Sequence, residues 1–371
     1  MKVFSPFVGE EEQRAAAEVL ESQWLGVGPK CNEMEMRLAE LWRVRQSHVI
    51  LTNSCTSATH LALRSMGIAR GDEVIIPTIH FPAAANAVMQ LGARVVLCDV
   101  HPHSMMPRPH DVQRVLSDRT RAVFLLHYGG RVCGVDAIRT ILPPQVMILE
   151  DAAVATVSTH NGKAAGTMGD AGVWSFDAMK ILTMGDGGAL WLKDERHADY
   201  ARVLTNLGMN SASGSEKART ADSRWWEFNV LAPSGYYASN DVAASIGLAQ
   251  LRKLHRMIGI RRELYEAYDD MLASEDLPIV LPPMPSPCDT SSYYTYWIKT
   301  ERRDELARYL LDRGIYTTFR YYPLHKVYDL GGHYPGAESA AARTLNLPLH
   351  PHMTIEHVII VVKEIASFFN R

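Results

Sequence analysis

Much that would tie this chain to a large or charged partner is missing. Its 371 residues contain only five cysteines, Cys31, Cys55, Cys98, Cys133 and Cys288, dispersed and without C-x-x-C spacing. That argues against a disulfide framework or a thiolate metal site and reads as reduced thiols in a cytoplasmic protein. Charge of one sign is also missing: 38 basic residues stand against 41 acidic ones, net −3, with no block of like charge. This balance argues against nucleic acid or an anionic membrane as the main partner. The most apolar late stretch, HVIIVVKEIASFF, is short and broken by Lys363 and Glu364, so no membrane span is expected. The opening MKVFSPFVGEEEQ lacks a long apolar core and turns acidic early, unlike a signal peptide. There is no internal repeat and no low-complexity tract.

What is present is a large supply of core residues. The hydrophobic fraction is 47%, and the length suits one large domain plus a smaller one. From residue 48 to 195, seven short runs read as strands: SHVILTN, DEVIIPT, RVVLCDV, RAVFLLHY, QVMILED, AGVWSF and GALWLKD. Several are continuously apolar, as strands covered on both faces are. Between them TSATHLALRSMGI, FPAAANAVMQLG, PHDVQRVLSD and VDAIRTIL read as helices. Such alternation predicts βαβ units, a mostly parallel seven-stranded sheet and an α/β fold. A Ser-, Gly- and charge-rich loop is expected at 209–234, then a long helix from NDVAASIGLAQL onward. A Pro-rich stretch at 281–292 leads into a smaller α+β unit: YYTYWIKT as a strand, RRDELARYLLDRGI as a helix, YTTFRYY as a strand and two closing helices. The expected division is a large domain at 1–250 and a small one at 251–371.

Three short motifs carry chemistry. In LTNSCTSATHLAL a strand ends, small hydroxyl residues follow and a helix begins. Free N–H groups there, with Ser54, Thr56 and Ser57 beside them, form a seat for an anion such as phosphate. The same residues serve equally as an ordinary N-cap. In VMILEDAAVA an apolar strand runs into Glu150 and Asp151, at the end of the sheet where α/β proteins bind ligands. An acid there can hold a protonated ring nitrogen, or simply cap a helix. In VWSFDAMKILTMGDGGALWL, Lys180 sits between two apolar strands, before Gly185, Gly187 and Gly188. Desolvation and neighbouring positive charge can free such an amine to attack a carbonyl; otherwise it is a solvated loop lysine. Taken together, the handles fit a phosphate, a ring nitrogen and an aldehyde on one ligand, which is pyridoxal phosphate. The glycines read as a turn that lets the backbone pass close to cofactor and substrate.

Nearly end to end, the chain resembles the DegT/DnrJ/EryC1/StrS sugar aminotransferases, a branch of the fold-type I pyridoxal phosphate enzymes. QWLGVGPKCNEMEMRLAELW, NSCTSATHLALRSMGIARGDEVIIPTIHFPAAANAVMQLGARVVLCDV, LEDAAVA, SFDAMKILTMGDGG, AASIGLAQLRKL and YYPLH follow in that family's order. The resemblance implies that Lys180 binds the cofactor aldehyde and shuttles the proton, and that Asp151 pairs with the ring nitrogen. It assigns the phosphate to Thr56, Ser57 and Ser175, ring stacking to Phe81, and a place near the sugar nucleotide to His325. Glutamate as amino donor, pyridoxamine phosphate as the aminated cofactor and a homodimer with shared active sites are implied in the same way. RWWEFNVLAPSGYY would suit the subunit interface.

Departures bear on the substrate. Val154 stands where many members carry a polar residue after EDAA. SGYYASND replaces a GYNYRMS-like segment whose Asn or Arg reaches the partner's cofactor phosphate, so Tyr236 and Ala238 stand where that pair would be and Asn240 is the substitute. These departures lean toward nucleotide-sugar C4 transaminases. Arg320 stands where relatives often have His; it is suited to a substrate phosphate or carboxylate, and equally to plain solvation at the surface. The expected reaction is amino transfer to a nucleotide-linked 4-keto-6-deoxysugar. The alternatives are a free keto-cyclitol, a 3-keto sugar nucleotide, or a sensing or plain nucleotide-binding protein on the same fold.

Overall fold

The computed structural model describes residues 1–209, 219, 224 and 226–370. At its centre are seven strands: β1 (Val49–Thr52), β2 (Glu73–Pro77), β3 (Arg94–Cys98), β4 (Thr120–Leu126), β5 (Met147–Asp151), β6 (Ala171–Ser175) and β7 (Gly188–Leu192). Their order is β1-β7-β6-β5-β4-β2-β3. β2, β3, β4, β5 and β6 pair in parallel, while β7 runs antiparallel to β6 and β1. Each of the seven runs read as a strand is one, and the sheet is mostly parallel as expected.

The apolar runs are continuous because both faces are covered. Successive side chains alternate across a strand. Val74, Ile76, Phe124, Leu149, Leu190 and Leu192 therefore pack on one face with α3 (Cys55–Ser65) and α4 (Pro82–Gln90). On the opposite face Val49, Leu51, Trp174, Ala189 and Trp191 meet α2 (Pro29–Trp42), where Trp42 and Trp174 stack with centroids 3.7 Å apart. Ile75, Val123, Leu125 and Ile148 close a further cluster.

The long helix α5 (Asp241–Ala273) serves two cores. Its Ala244 and Leu248 pack with the sheet, and its Leu264, Tyr265, Tyr268 and Leu272 with the C-terminal unit. The division expected at residue 250 thus lies inside one helix. The C-terminal unit adds β8 (Tyr296–Lys299), α6 (Arg303–Leu311), α7 (Pro335–Arg343), β9 (Thr344–Leu347) and α8 (Ile355–Phe369). β8 pairs antiparallel with β9, a strand that the sequence pattern hid between the two closing helices. YTTFRYY is not a strand. Only Thr318 bridges Asn346, through reciprocal backbone bonds of 3.2 and 2.6 Å. The aromatic run was misread because its side chains go separate ways: Phe319 packs on a core cluster, Tyr321 meets Phe81, and Tyr316 and Tyr322 are exposed. PHDVQRVLSD and VDAIRTIL form only short helices, Pro109–Gln113 and Val135–Arg139. The loop expected at 209–234 lies largely outside the described residues. Among the described residues, no helix is long and apolar enough to cross a membrane.

Candidate active site

The site forms where β5, β6 and the start of α3 reach the same edge of the sheet. Strand alternation separates the two adjacent carboxylates. Glu150 is fully buried and accepts N–H groups from Gly166 (2.9 Å), Met168 (2.7 Å) and Gly169 (2.5 Å), with His127 Nε2 at 2.8 Å. It is a structural latch. Asp151 points to the other face, where Oδ1 accepts the Ala153 N–H at 2.9 Å and Oδ2 lies 3.6 Å from His80 Nε2.

Lys180 lies on a tight turn after β6, its backbone N–H donating to Asp177 O at 3.0 Å. Nζ sits 5.6 Å from the centre of the Tyr294 ring. The expected neutralisation by desolvation and cationic neighbours does not describe this protein. Burial does press the lysine pKa down, but Tyr321, Tyr294, Asp151 and Cys55 outweigh it and hold the ammonium well above the ordinary lysine value. The charge partner invisible in the local sequence is Asp151.

Cys55, the first residue of α3, interacts electrostatically with both Asp151 and Lys180, so the helix start belongs to the same site. Ser54 caps α3: its Oγ accepts the Ser57 N–H at 3.1 Å, and the Ser57 hydroxyl donates to Asn53 Oδ1 at 2.6 Å. Cap and anion seat therefore coexist, because the first N–H groups of the turn, at Cys55 and Thr56, have no intrahelical acceptor. Thr56 is exposed beside them. Ser175 ends β6 opposite Gly188 and accepts the Asp177 N–H at 3.5 Å. Gly188 explains part of the glycine cluster. A Cβ there would stand 2.4 Å from Cys55 N and 2.5 Å from Ser54 C, so the glycine lets β7 lie against the helix start. Gly185, at φ 81°, makes the turn itself.

An aromatic wall faces these groups. Phe81, the N-cap of α4, is 52% exposed and meets Tyr321 edge-on at 5.7 Å. Tyr321 interacts electrostatically with Lys180 and Asp151. Arg320 Nη1 donates to the Tyr294 hydroxyl at 3.4 Å, and its guanidinium lies 4.4 Å over Phe4, which stacks on Tyr294 at 4.8 Å. Arg261 from α5 fixes this corner, with Nη1 donating to the carbonyls of Tyr294 (3.2 Å) and Leu349 (3.0 Å).

Two sequence candidates stand apart. His325 is buried and contacts Thr78 (Oγ1 to Nδ1, 2.7 Å), Glu338 (3.7 Å) and Tyr334. None of these is a site candidate. Asn240 caps α5, its Oδ1 accepting the Ala243 N–H at 2.9 Å. His80, Tyr294 and Tyr321 are additions that sequence reasoning did not single out. Tyr321 and His80 stand inside the quoted motifs YYPLH and IHFPAAAN, but nothing in those motifs says that they meet Asp151. Val154 is buried among Val3, Phe4, Ile181 and Tyr294.

A buried lysine, a carboxylate, an open helix start and an exposed aromatic face meet at one edge of an α/β sheet. The chain belongs to the DegT/DnrJ/EryC1/StrS aminotransferase family, which matches residues 6–366. It is 42% identical over 370 residues to a dTDP-4-dehydro-2,3,6-trideoxy-D-glucose 4-aminotransferase of Saccharopolyspora spinosa, covering 98% of this chain and 95% of that one. It is 33% identical to the spore coat polysaccharide biosynthesis protein SpsC of Bacillus subtilis, covering 98% and 96%. The crystal structure of the aminotransferase TlmJ from Streptoalloteichus hindustanus superposes with a TM-score of 0.93 at 44% identity, covering 99% and 98%.

Proposed function

We propose that the protein transfers an amino group from an amino acid, glutamate on the family resemblance, to the keto carbon of a nucleotide-linked 4-keto-6-deoxysugar, with pyridoxal phosphate as cofactor. The observation that carries this reading is the meeting of Lys180, Asp151 and the α3 start at one sheet edge. The residues fit the cofactor: the open first turn of α3, with Thr56, Ser57 and Ser175, suits its phosphate. Phe81 offers a ring face, and Asp151 suits the ring nitrogen. When bound, pyridoxal phosphate supplies an electron sink for the carbon that gains or loses the amino group.

Within that frame the side chains have separate tasks. Lys180 would hold the cofactor through Nζ at its aldehyde, and its amine would carry the proton to and from the reacting carbon of donor and sugar. Asp151 would pair with the ring nitrogen and favour its protonated form. Arg320, held by Tyr294 and Phe4, presents its guanidinium to an anionic part of the substrate. His325 holds the segment after Arg320 against Thr78 and so shapes the sugar-nucleotide side.

The protein acts as a cytoplasmic homodimer in this reading. Trp24, Leu25, Val27, Phe228 and Tyr236 are all about half exposed or more and line one groove of about 1310 Å³, a surface suited to a second copy. Asn240 would reach the partner's cofactor from α5. A 42% identical 4-aminotransferase supports the C4 position.

The test is a purified protein loaded with pyridoxal phosphate. Glutamate should bleach its near-visible band, and a dTDP-4-keto-6-deoxysugar should restore it while gaining an amine, as read by mass spectrometry. Lys180→Ala should lower turnover by about 10²–10⁴-fold or more. Turnover at the wild-type rate in that variant overturns the reading, and preference for a free keto-inositol redirects it.

A further inference from the structure

His80 is an unusual residue to find behind Asp151. It lies in the connection between β2 and α4 and is 1% exposed. Its ring meets Phe124 edge-on at 5.7 Å. Two acceptors face it: the Phe81 carbonyl oxygen at 3.2 Å from Nδ1 and Asp151 Oδ2 at 3.6 Å from Nε2. Nε2 has no hydrogen-bond partner among the described residues. Asp151 also faces Cys55 from α3, Lys180 from the turn after β6, and Tyr321.

We propose that His80 is a positioning residue for Asp151, aiming an Nε2–H at Oδ2 so that the carboxylate is held in the orientation that would face the cofactor ring. This inference rests on the functional reading above. Its argument is one of proton count. A neutral imidazole carries one N–H and can serve only one of its two acceptors. A lone pair left against a carbonyl costs less than one left against a carboxylate, so the proton belongs on Nε2. Burial keeps the ring neutral by pulling its pKa below the ordinary histidine value, against the opposing pull of Asp151. A neutral donor stabilises the anion without cancelling its charge, and that charge is what a protonated ring nitrogen needs. The 3.6 Å separation exceeds a hydrogen bond, and such contacts tighten when the site is filled. Asp151 is then held from two sides, by Ala153 N–H on Oδ1 and by His80 on Oδ2.

A double-mutant cycle on cofactor affinity tests this, with pyridoxal phosphate titrated into cofactor-free protein and binding read by absorbance. His80→Phe removes the donor and keeps a ring; Asp151→Asn removes the carboxylate. Each alone should weaken binding about tenfold, and the double variant should be no weaker than Asp151→Asn. Additive losses overturn the inference. His80→Gln, which retains an N–H donor, should recover most of the affinity, and a Gln variant no better than Phe also overturns it. Should the Phe variant not fold, nitrogen-15 NMR of the unsubstituted cofactor-free protein reads the same contact. The His80 proton should reside on Nε2, with a signal that moves in Asp151→Asn; a proton on Nδ1 in both proteins overturns the inference. If the unsubstituted protein binds no pyridoxal phosphate, the functional reading falls and this inference with it. Normal binding with an additive cycle defeats this inference alone.

Discussion

Lys180 keeps its charge because of residues far away in sequence. Burial presses its pKa down, while Tyr321, Tyr294, Asp151 and Cys55, from four separate segments, raise it. The adjacent carboxylates make the same point in reverse. Glu150 and Asp151 are neighbours in sequence, yet strand alternation gives one four donors in the core and sends the other to the site. At this scale the structure also predicts a pH response. Burial, Arg261 and His352 push the His350 pKa from 6.5 to about 4. The unfolded chain therefore binds a proton that the folded protein refuses, and stability falls as pH drops from about 6.5 to 4. The expected loss is on the order of 1 kcal/mol per pH unit in that window. His350→Gln should flatten it, as melting temperatures measured from pH 7 to pH 4 will show; an unchanged slope would remove His350 as its source.

Among the elements, the strands were the most legible part of the sequence. Two-sided burial favours uninterrupted apolar residues, as several of the runs have, and all seven runs formed strands. β9 and YTTFRYY were not legible, because short strand pairing is decided by which segment lies alongside, not by local pattern. The anion seat at α3 was legible as a motif, but its dependence on Gly188 was not. A Cβ at position 188 intrudes on the backbone of Ser54 and Cys55, so Gly188→Ala should cost about 1–3 kcal/mol and weaken pyridoxal phosphate binding. Gly185→Ala is the contrast: nothing lies within 4 Å of a Cβ there, and only the positive φ is strained. It should lower stability by about 1 kcal/mol with cofactor affinity unchanged. Equal effects of the two on affinity would show that the close approach at Gly188 has no special role.

Across the whole molecule, α5 ties the sheet to the C-terminal unit. That helix carries Arg261 to the carbonyl of Tyr294, so the small unit contributes directly to the wall around Lys180. The groove lined by Trp24, Phe228 and Tyr236 is the surface at which the proposed homodimer can be tested. Replacing Trp24 and Phe228 together with glutamate should shift the protein toward monomer in sedimentation velocity and lower its activity. A doubly substituted protein that sediments like the original would exclude this groove as the interface.

By itself the sequence determined the class of fold, the seven sheet strands and the family, and it nominated Asp151 and Lys180 as the reactive pair. These depend on local periodicity and on residue types whose chemistry has few alternatives. Tertiary structure alone decided that Glu150 turns into the core, that Tyr294 and Tyr321 stand beside Lys180 and that His80 stands behind Asp151. It also set His325 against Thr78 and Asn240 at a helix cap. The reason is physical: a field or a hydrogen bond depends on distances of a few ångströms between segments, and those distances exist only once the chain has folded.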